Sequence, residues 1–95
     1  MVAWLAMPAS GFRVTQGEAR SHTSPAGSTR HFCANCGMPL YFVNEDTLPG
    51  IVDIPSVTLD DPDAMPPQAQ IQTAERRAWM AGLDALPEFE RFPGP

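Results

Sequence analysis

The two cysteines of this 95-residue chain are Cys33 and Cys36, and a glycine follows directly at position 37. Two intervening residues let one tight turn direct both thiolates at a single ion. A glycine accepts the backbone angle that allows nearby amides to hydrogen-bond the sulfurs. The pattern therefore predicts a zinc knuckle with Cys33 and Cys36 as metal ligands. Structural zinc takes four ligands, so these two cysteines account for half of a site.

Two other interpretations of the cysteines are redox thiols and inert thiols. A redox Cys-x-x-Cys needs a lowered thiol pKa and usually a βαβ context, whereas the surrounding pattern here is all-β. His31 could reach the same ion, but in an extended segment its imidazole is equally free to pack or to face solvent, and a structural histidine is expected. His22 is expected on a strand surface. No residue pattern predicts a catalytic group.

An acidic cluster, Asp60, Asp61 and Asp63, superficially resembles a calcium or magnesium loop. Pro62 interrupts it, and neither the glycine nor the distal glutamate of an EF-hand follows. We expect an acidic turn in which aspartates cap backbone amides.

Length and charge limit the classes of function. The 95 residues are expected to form one domain, 1–95. The net charge is −5, with six arginines, no lysine and no basic stripe, which argues against nucleic-acid binding by phosphate neutralisation. No apolar run reaches the length of a membrane span, and the apolar start has no preceding positive region. We expect a cytoplasmic protein whose thiols stay reduced.

Eleven prolines and seven glycines favour short strands joined by turns. The apolar run 2–7 predicts a strand buried on both faces. Residues 12–15 alternate between apolar and polar, as in a half-buried strand, and residues 39–43 and 51–54 predict further strands. Strands at this short spacing indicate an antiparallel, mostly β fold.

The C-terminal third is expected to be less regular. Residues 71–73 could add a short strand, and residues 75–83 have the helical spacing of a short segment that docks on the sheet, with Trp79 on its apolar side. Phe89 and Phe92 are expected to anchor the tail.

Four short sequence motifs resemble those of a known family: Phe32–Leu40, Thr58–Pro62, Ile71 with Trp79, and Leu86–Phe89. In this order they resemble the glutathione-dependent formaldehyde-activating enzyme family, which also contains the centromere protein V domain. The resemblance covers the C-terminal two-thirds of that domain. It implies a mostly β, antiparallel fold of the Mss4-like kind, folded around zinc, with a short C-terminal helical segment.

The resemblance also implies an activity. Family members carry, ahead of the part seen here, a Cys-x-Cys that joins Cys33 and Cys36 in a structural zinc site, and a Cys-x-Cys-x-x-Cys for a catalytic zinc. No residue of this chain matches a catalytic ligand. We therefore expect a zinc-binding domain related to S-(hydroxymethyl)glutathione synthase, a carbon–sulfur lyase, that is truncated and inactive as this chain. Glutathione or a thiol adduct is the small-molecule partner that the resemblance implies.

The alternative hypothesis is a non-catalytic, zinc-stapled β module that acts as a dimeric structural or interaction protein. The apolar first strand has no preceding element to cover it, so we expect it to be buried in a homodimer. Two copies could then pool Cys33 and Cys36 into one four-thiolate site across a two-fold axis.

Overall fold

The computed structural model describes residues 1–94 and contains five antiparallel strands in one sheet, which confirms the mostly β prediction. The strands are β1 (Trp4–Pro8), β2 (Arg20–Thr23), β3 (Thr29–Phe32), β4 (Pro39–Val43) and β5 (Ile51–Pro55). Their order across the sheet is β1-β5-β4-β3-β2. Strands β2 to β5 are thus sequential neighbours, and β1 pairs with the outer side of β5.

A buried asparagine holds together the turns at one end of this sheet. Asn44, which is 6% exposed, directly follows β4. Its Oδ1 accepts hydrogen bonds from the backbone amides of Asp46 and Thr47 at 3.0 and 3.2 Å. Its Nδ2 donates to the Ser28 hydroxyl at 3.0 Å, so the β4–β5 loop is tied to the β2–β3 turn.

The N-terminal strand differs from its prediction. The prediction that residues 2–7 are buried on both faces is wrong, because β1 lies at the sheet edge and alternates between exposed and half-buried residues. The predicted strand over residues 12–15 is also wrong. Phe12 nevertheless packs on Tyr41, with ring centroids 4.8 Å apart. Phe12 is therefore packed against the sheet as its apolar side chain suggests, but its backbone lies in a loop.

The C-terminal region is helical only in short 3-10 turns. The principal one, Ala78–Ala85, bends at Gly82, so the predicted helix over residues 75–83 is shorter and tighter than expected. No strand forms at residues 71–73. The prediction that Phe89 and Phe92 anchor the tail is wrong. Both side chains are exposed, and Phe92 has 92% of its surface accessible. Within residues 1–94, no helix is long and apolar enough to span a membrane.

The sheet is poorly covered. Val52 on β5, 4% exposed, is the single buried aliphatic or aromatic residue of the part that the structure describes, and Pro55 on the same strand is also buried. The accessible surface is 8310 Å². A folded monomer of this mass is expected to expose about 5,400 Å². A sheet normally buries a face against a second layer, and this one lacks such a layer over much of its surface.

Candidate functional site

The cysteine turn joins β3 to β4. The Cys33 amide donates to the Met38 carbonyl at 2.9 Å, and the Gly37 amide donates to the Cys33 carbonyl at 2.8 Å. Gly37 adopts a φ of +77°, in the left-handed region. A Cβ added to it would meet no atom within 4 Å. The turn therefore requires glycine at this position for its backbone conformation and not for lack of space.

The turn stabilises a thiolate at its first cysteine. Cys33 is half-buried and Cys36 is exposed, and both thiols are free. The backbone amide of Cys36 has the largest effect on the Cys33 sulfur, and that of Asn35 the next largest. Together with the Cys36 thiol, these amides lower the pKa of Cys33 by hydrogen bonding to its charged form, and their effect outweighs the burial that would raise it. The thiolate is the form of cysteine that binds metals and attacks electrophiles.

These two residues fit half of a zinc site. Two cysteine sulfurs on one turn supply two of the four ligands of the kind that structural zinc prefers. Among residues 1–94, however, no three His, Cys, Asp or Glu side chains come close enough together to hold a metal ion. The assignment of Cys33 and Cys36 as metal ligands remains a prediction, and a complete site needs donors from outside this turn.

The two histidines lie where a structural role places them. The His31 imidazole stacks on the Tyr41 ring, with centroids 4.0 Å apart and planes 10° from parallel. Burial lowers the pKa of His31, since the charged imidazolium loses hydration there. His22 is exposed on β2, opposite Arg30. Neither histidine joins the cysteines in a cluster of three donors within the described chain.

The acidic cluster forms the turn that was predicted. The Asp63 amide donates to the Asp61 carboxylate at 3.1 Å, and the Ala64 amide donates to the Asp61 carbonyl at 3.1 Å. The side chain of Asp61 thus caps its own turn, as an Asx turn does.

A cavity of about 160 Å³ adjoins the cysteine turn. Its lining includes Gly37 and side chains from β3 and β4, among them Arg30, Phe32, Tyr41 and Phe42. The Arg30 guanidinium lies 5.2 Å from the centre of the Phe42 ring. Sequence reasoning missed this arginine–aromatic pair. Only the strand register, which sets Arg30 opposite Phe42, could have revealed it.

Comparison with known proteins gives one match. A family model described as "Glutathione-dependent formaldehyde-activating enzyme" matches residues 1–75. No curated protein and no solved structure matches the chain. The matched range contains all five strands and the cysteine turn, whereas the bent 3-10 segment and the tail lie beyond it.

Proposed function

The chain belongs to the glutathione-dependent formaldehyde-activating enzyme family, and on this premise we propose that it is a zinc-binding domain of that family. Cys33 and Cys36 supply half of a structural zinc site. The observation that carries this proposal is the cysteine turn itself, which joins β3 to β4 and is closed by the backbone hydrogen bonds from Cys33 to Met38 and from Gly37 to Cys33. The lowered pKa of Cys33 favours the thiolate, which is the form of cysteine that binds a metal.

Each residue of the turn has a defined task in this proposal. Gly37 supplies the left-handed backbone that closes the turn, and the amides reduce the cost of keeping sulfur charged. Zinc, when bound, would cross-link the β3–β4 turn to the remaining ligands and add its binding energy to folding. The role of Cys33 and Cys36 is therefore structural.

The family's chemistry is making or breaking a carbon–sulfur bond in the adduct of glutathione and formaldehyde. A catalytic zinc site needs three protein ligands with one open position. The chain contains two cysteines in all, and both are assigned to the cysteine turn. We infer that these 95 residues by themselves do not accelerate the condensation of formaldehyde with glutathione. We assign recognition of glutathione or a related thiol to family domains that carry all the ligands of the catalytic zinc. The expected location is the cytoplasm, where thiols are reduced.

A second candidate is a non-catalytic, zinc-stapled module that works as a homodimer. The poor coverage of the sheet supports it, because Val52 is the one aliphatic or aromatic residue of the described chain that is buried. The edge position of β1 and the incomplete donor set point the same way. In this form two copies would supply four thiolates to a shared zinc ion.

Metal content and mass of the purified chain test both candidates. We expect zinc to bind under reducing conditions, with about one ion per two chains if the ion is shared. The double variant Cys33→Ser/Cys36→Ser should lose the metal and melt at a lower temperature, and a chelator should produce the same shift in the wild type. Ala34→Ser, a change in the same turn at a residue that is not a ligand, is the matched control and should retain zinc.

Two results would contradict the proposal. A wild-type chain without zinc, whose melting temperature equals that of the double serine variant, would show that the cysteine turn holds no metal. Zinc-dependent formation of S-(hydroxymethyl)glutathione by the purified chain would show that the structural assignment of the cysteines is wrong.

A further inference from the structure

One row of side chains crosses all five strands on the same face of the sheet. In an antiparallel sheet, directly paired residues point to one face. The pairs His22–Arg30, Arg30–Phe42, Phe42–Asp53 and Asp53–Ala6 connect β2, β3, β4, β5 and β1. We call this side of the sheet, with Phe42 at its centre, the Phe42 face.

Two opposite charges on this row flank the aromatic ring of Phe42. Arg30 lies on the β3 side of Phe42, with its guanidinium 5.2 Å from the ring centre. Asp53 lies on the β5 side and is half-buried. Burial raises the pKa of Asp53, and no neighbouring cation in the described chain offsets this effect. The carboxylate is thus partly desolvated, and a cation placed beside it would stabilise its charged form.

The Phe42 face has little cover of its own. Trp4, whose ring meets Phe42 edge-on at 6.4 Å, is 39% exposed, and Arg30 is exposed. On the other face of the sheet, Phe12 from the loop after β1 packs over Tyr41. The C-terminal region could have covered the Phe42 face, but its aromatic residues point into solvent, with Trp79 66% exposed.

We propose that the Phe42 face packs against the Phe42 face of a second copy of this chain, with Arg30 of each copy paired to Asp53 of the other. This inference rests on the dimeric form of the proposed function and names the surface that forms the dimer. A two-fold axis parallel to β4 exchanges the positions of β3 and β5. It also keeps the strands of the two sheets aligned, as in a β-sandwich.

Two features favour a second copy over a different partner. The row is self-complementary. Rotation by 180° about the two-fold axis over Phe42 places Arg30 of each copy over Asp53 of the other copy. His22 at one end then lies over Ala6, the small residue at the other end. The accessible surface exceeds that of a typical monomer of this mass by about 2,900 Å². This surplus belongs to the whole chain, its loops and C-terminal segment included, so it shows unburied surface in general and does not measure the Phe42 face.

Sedimentation equilibrium of the full chain with charge-reversal variants tests this interface. Wild type should be a dimer at micromolar concentration. Arg30→Asp sets two carboxylates against each other at both sites, and Asp53→Arg does the same with two guanidinium groups. Each variant alone should dimerise at least about a hundredfold more weakly. An equimolar mixture should recover the dimer mass, because carboxylates then face guanidinium groups at both contacts.

Controls separate this interface from general charge and folding effects. Arg13→Asp makes the same charge change in the exposed loop after β1 and should leave the dimer intact. Circular dichroism verifies that each variant is folded. If Arg30→Asp does not fold, Arg30→Gln replaces it and should weaken dimerisation about tenfold by removing the two attractive contacts.

The possible failures are distinguishable. A wild-type chain that is monomeric at all concentrations overturns both the dimer and this interface. A dimer that a chelator dissociates but Arg30→Asp does not is held by shared zinc alone, and it overturns only this interface. A mixture of the two variants that stays monomeric while both are folded also overturns it.

Discussion

The left-handed conformation of Gly37 gives the most direct test of the cysteine turn. Alanine at this position meets no atom within 4 Å, so steric overlap does not contribute to the effect. A non-glycine residue in the left-handed region costs about 1–2 kcal/mol. Replacing glycine also lowers the conformational entropy of the unfolded chain, which stabilises the fold by about 0.4–1 kcal/mol. Gly37→Ala should therefore destabilise the fold by about 1 kcal/mol.

Gly82 provides a matched control in the same chain. It has an ordinary φ of −107°, and a Cβ there also meets no atom within 4 Å. Gly82→Ala should be neutral or stabilising by up to about 1 kcal/mol, because only the unfolded-state effect applies. The two chemically identical substitutions should thus differ by about 1–2 kcal/mol. For a domain of this size, that gap corresponds to roughly 5–15 °C in melting temperature.

Thermal unfolding followed by circular dichroism, with zinc and with chelator, measures this difference. Gly37→Asn should recover much of the loss, since asparagine tolerates the left-handed region better than alanine. The strain should also weaken zinc binding about fivefold, the equivalent of 1 kcal/mol. Equal melting temperatures for Gly37→Ala and Gly82→Ala would refute the backbone argument and with it the described geometry of the turn.

Two further predictions concern the sheet. Asn44→Ala removes three hydrogen bonds, each worth about 1 kcal/mol, so urea denaturation should show a loss of about 3 kcal/mol. Asn44→Asp keeps the acceptor and should lose less than half of that, and an equal loss for both variants would contradict the assigned bonds. Burial lowers the pKa of His31, so the unfolded chain binds its proton at higher pH than the folded chain does. In chelator, the free energy of unfolding should fall as pH decreases below about 6.5. His31→Phe keeps an aromatic ring against Tyr41 and should reduce this pH dependence, and an unchanged pH profile would refute the assignment.

Local patterns were sufficient for much of the fold. The strands β4 and β5 lie where alternation and apolar content predicted them, because the turn signals on either side leave few other boundaries. The cysteine turn and the Asx turn at Asp61 were also predictable, since both depend on residues that are close in sequence. The family assignment followed from the same short motifs and is confirmed over residues 1–75.

The failed predictions share a cause. Residues 12–15 have the alternation of a strand, but they pair with neither edge strand of the sheet, and Phe12 packs on Tyr41 from a loop instead. The helical spacing of residues 75–83 likewise produced only a bent 3-10 segment whose one aromatic residue, Trp79, is exposed. The periodicity of apolar residues in the sequence indicates which face of a helix or strand is apolar. It does not report whether the rest of the chain supplies a surface for that face.

By itself, the sequence determined the fold class, the family and the thiol pair, because each is encoded in residues near one another along the chain. Tertiary structure alone decided which residues meet across strands. The buried link from Asn44 to Ser28, the stack of His31 on Tyr41 and the row of Arg30, Phe42 and Asp53 all depend on strand register. Register is fixed by pairing between distant segments, and a shift of one residue would send every one of these side chains to the opposite face.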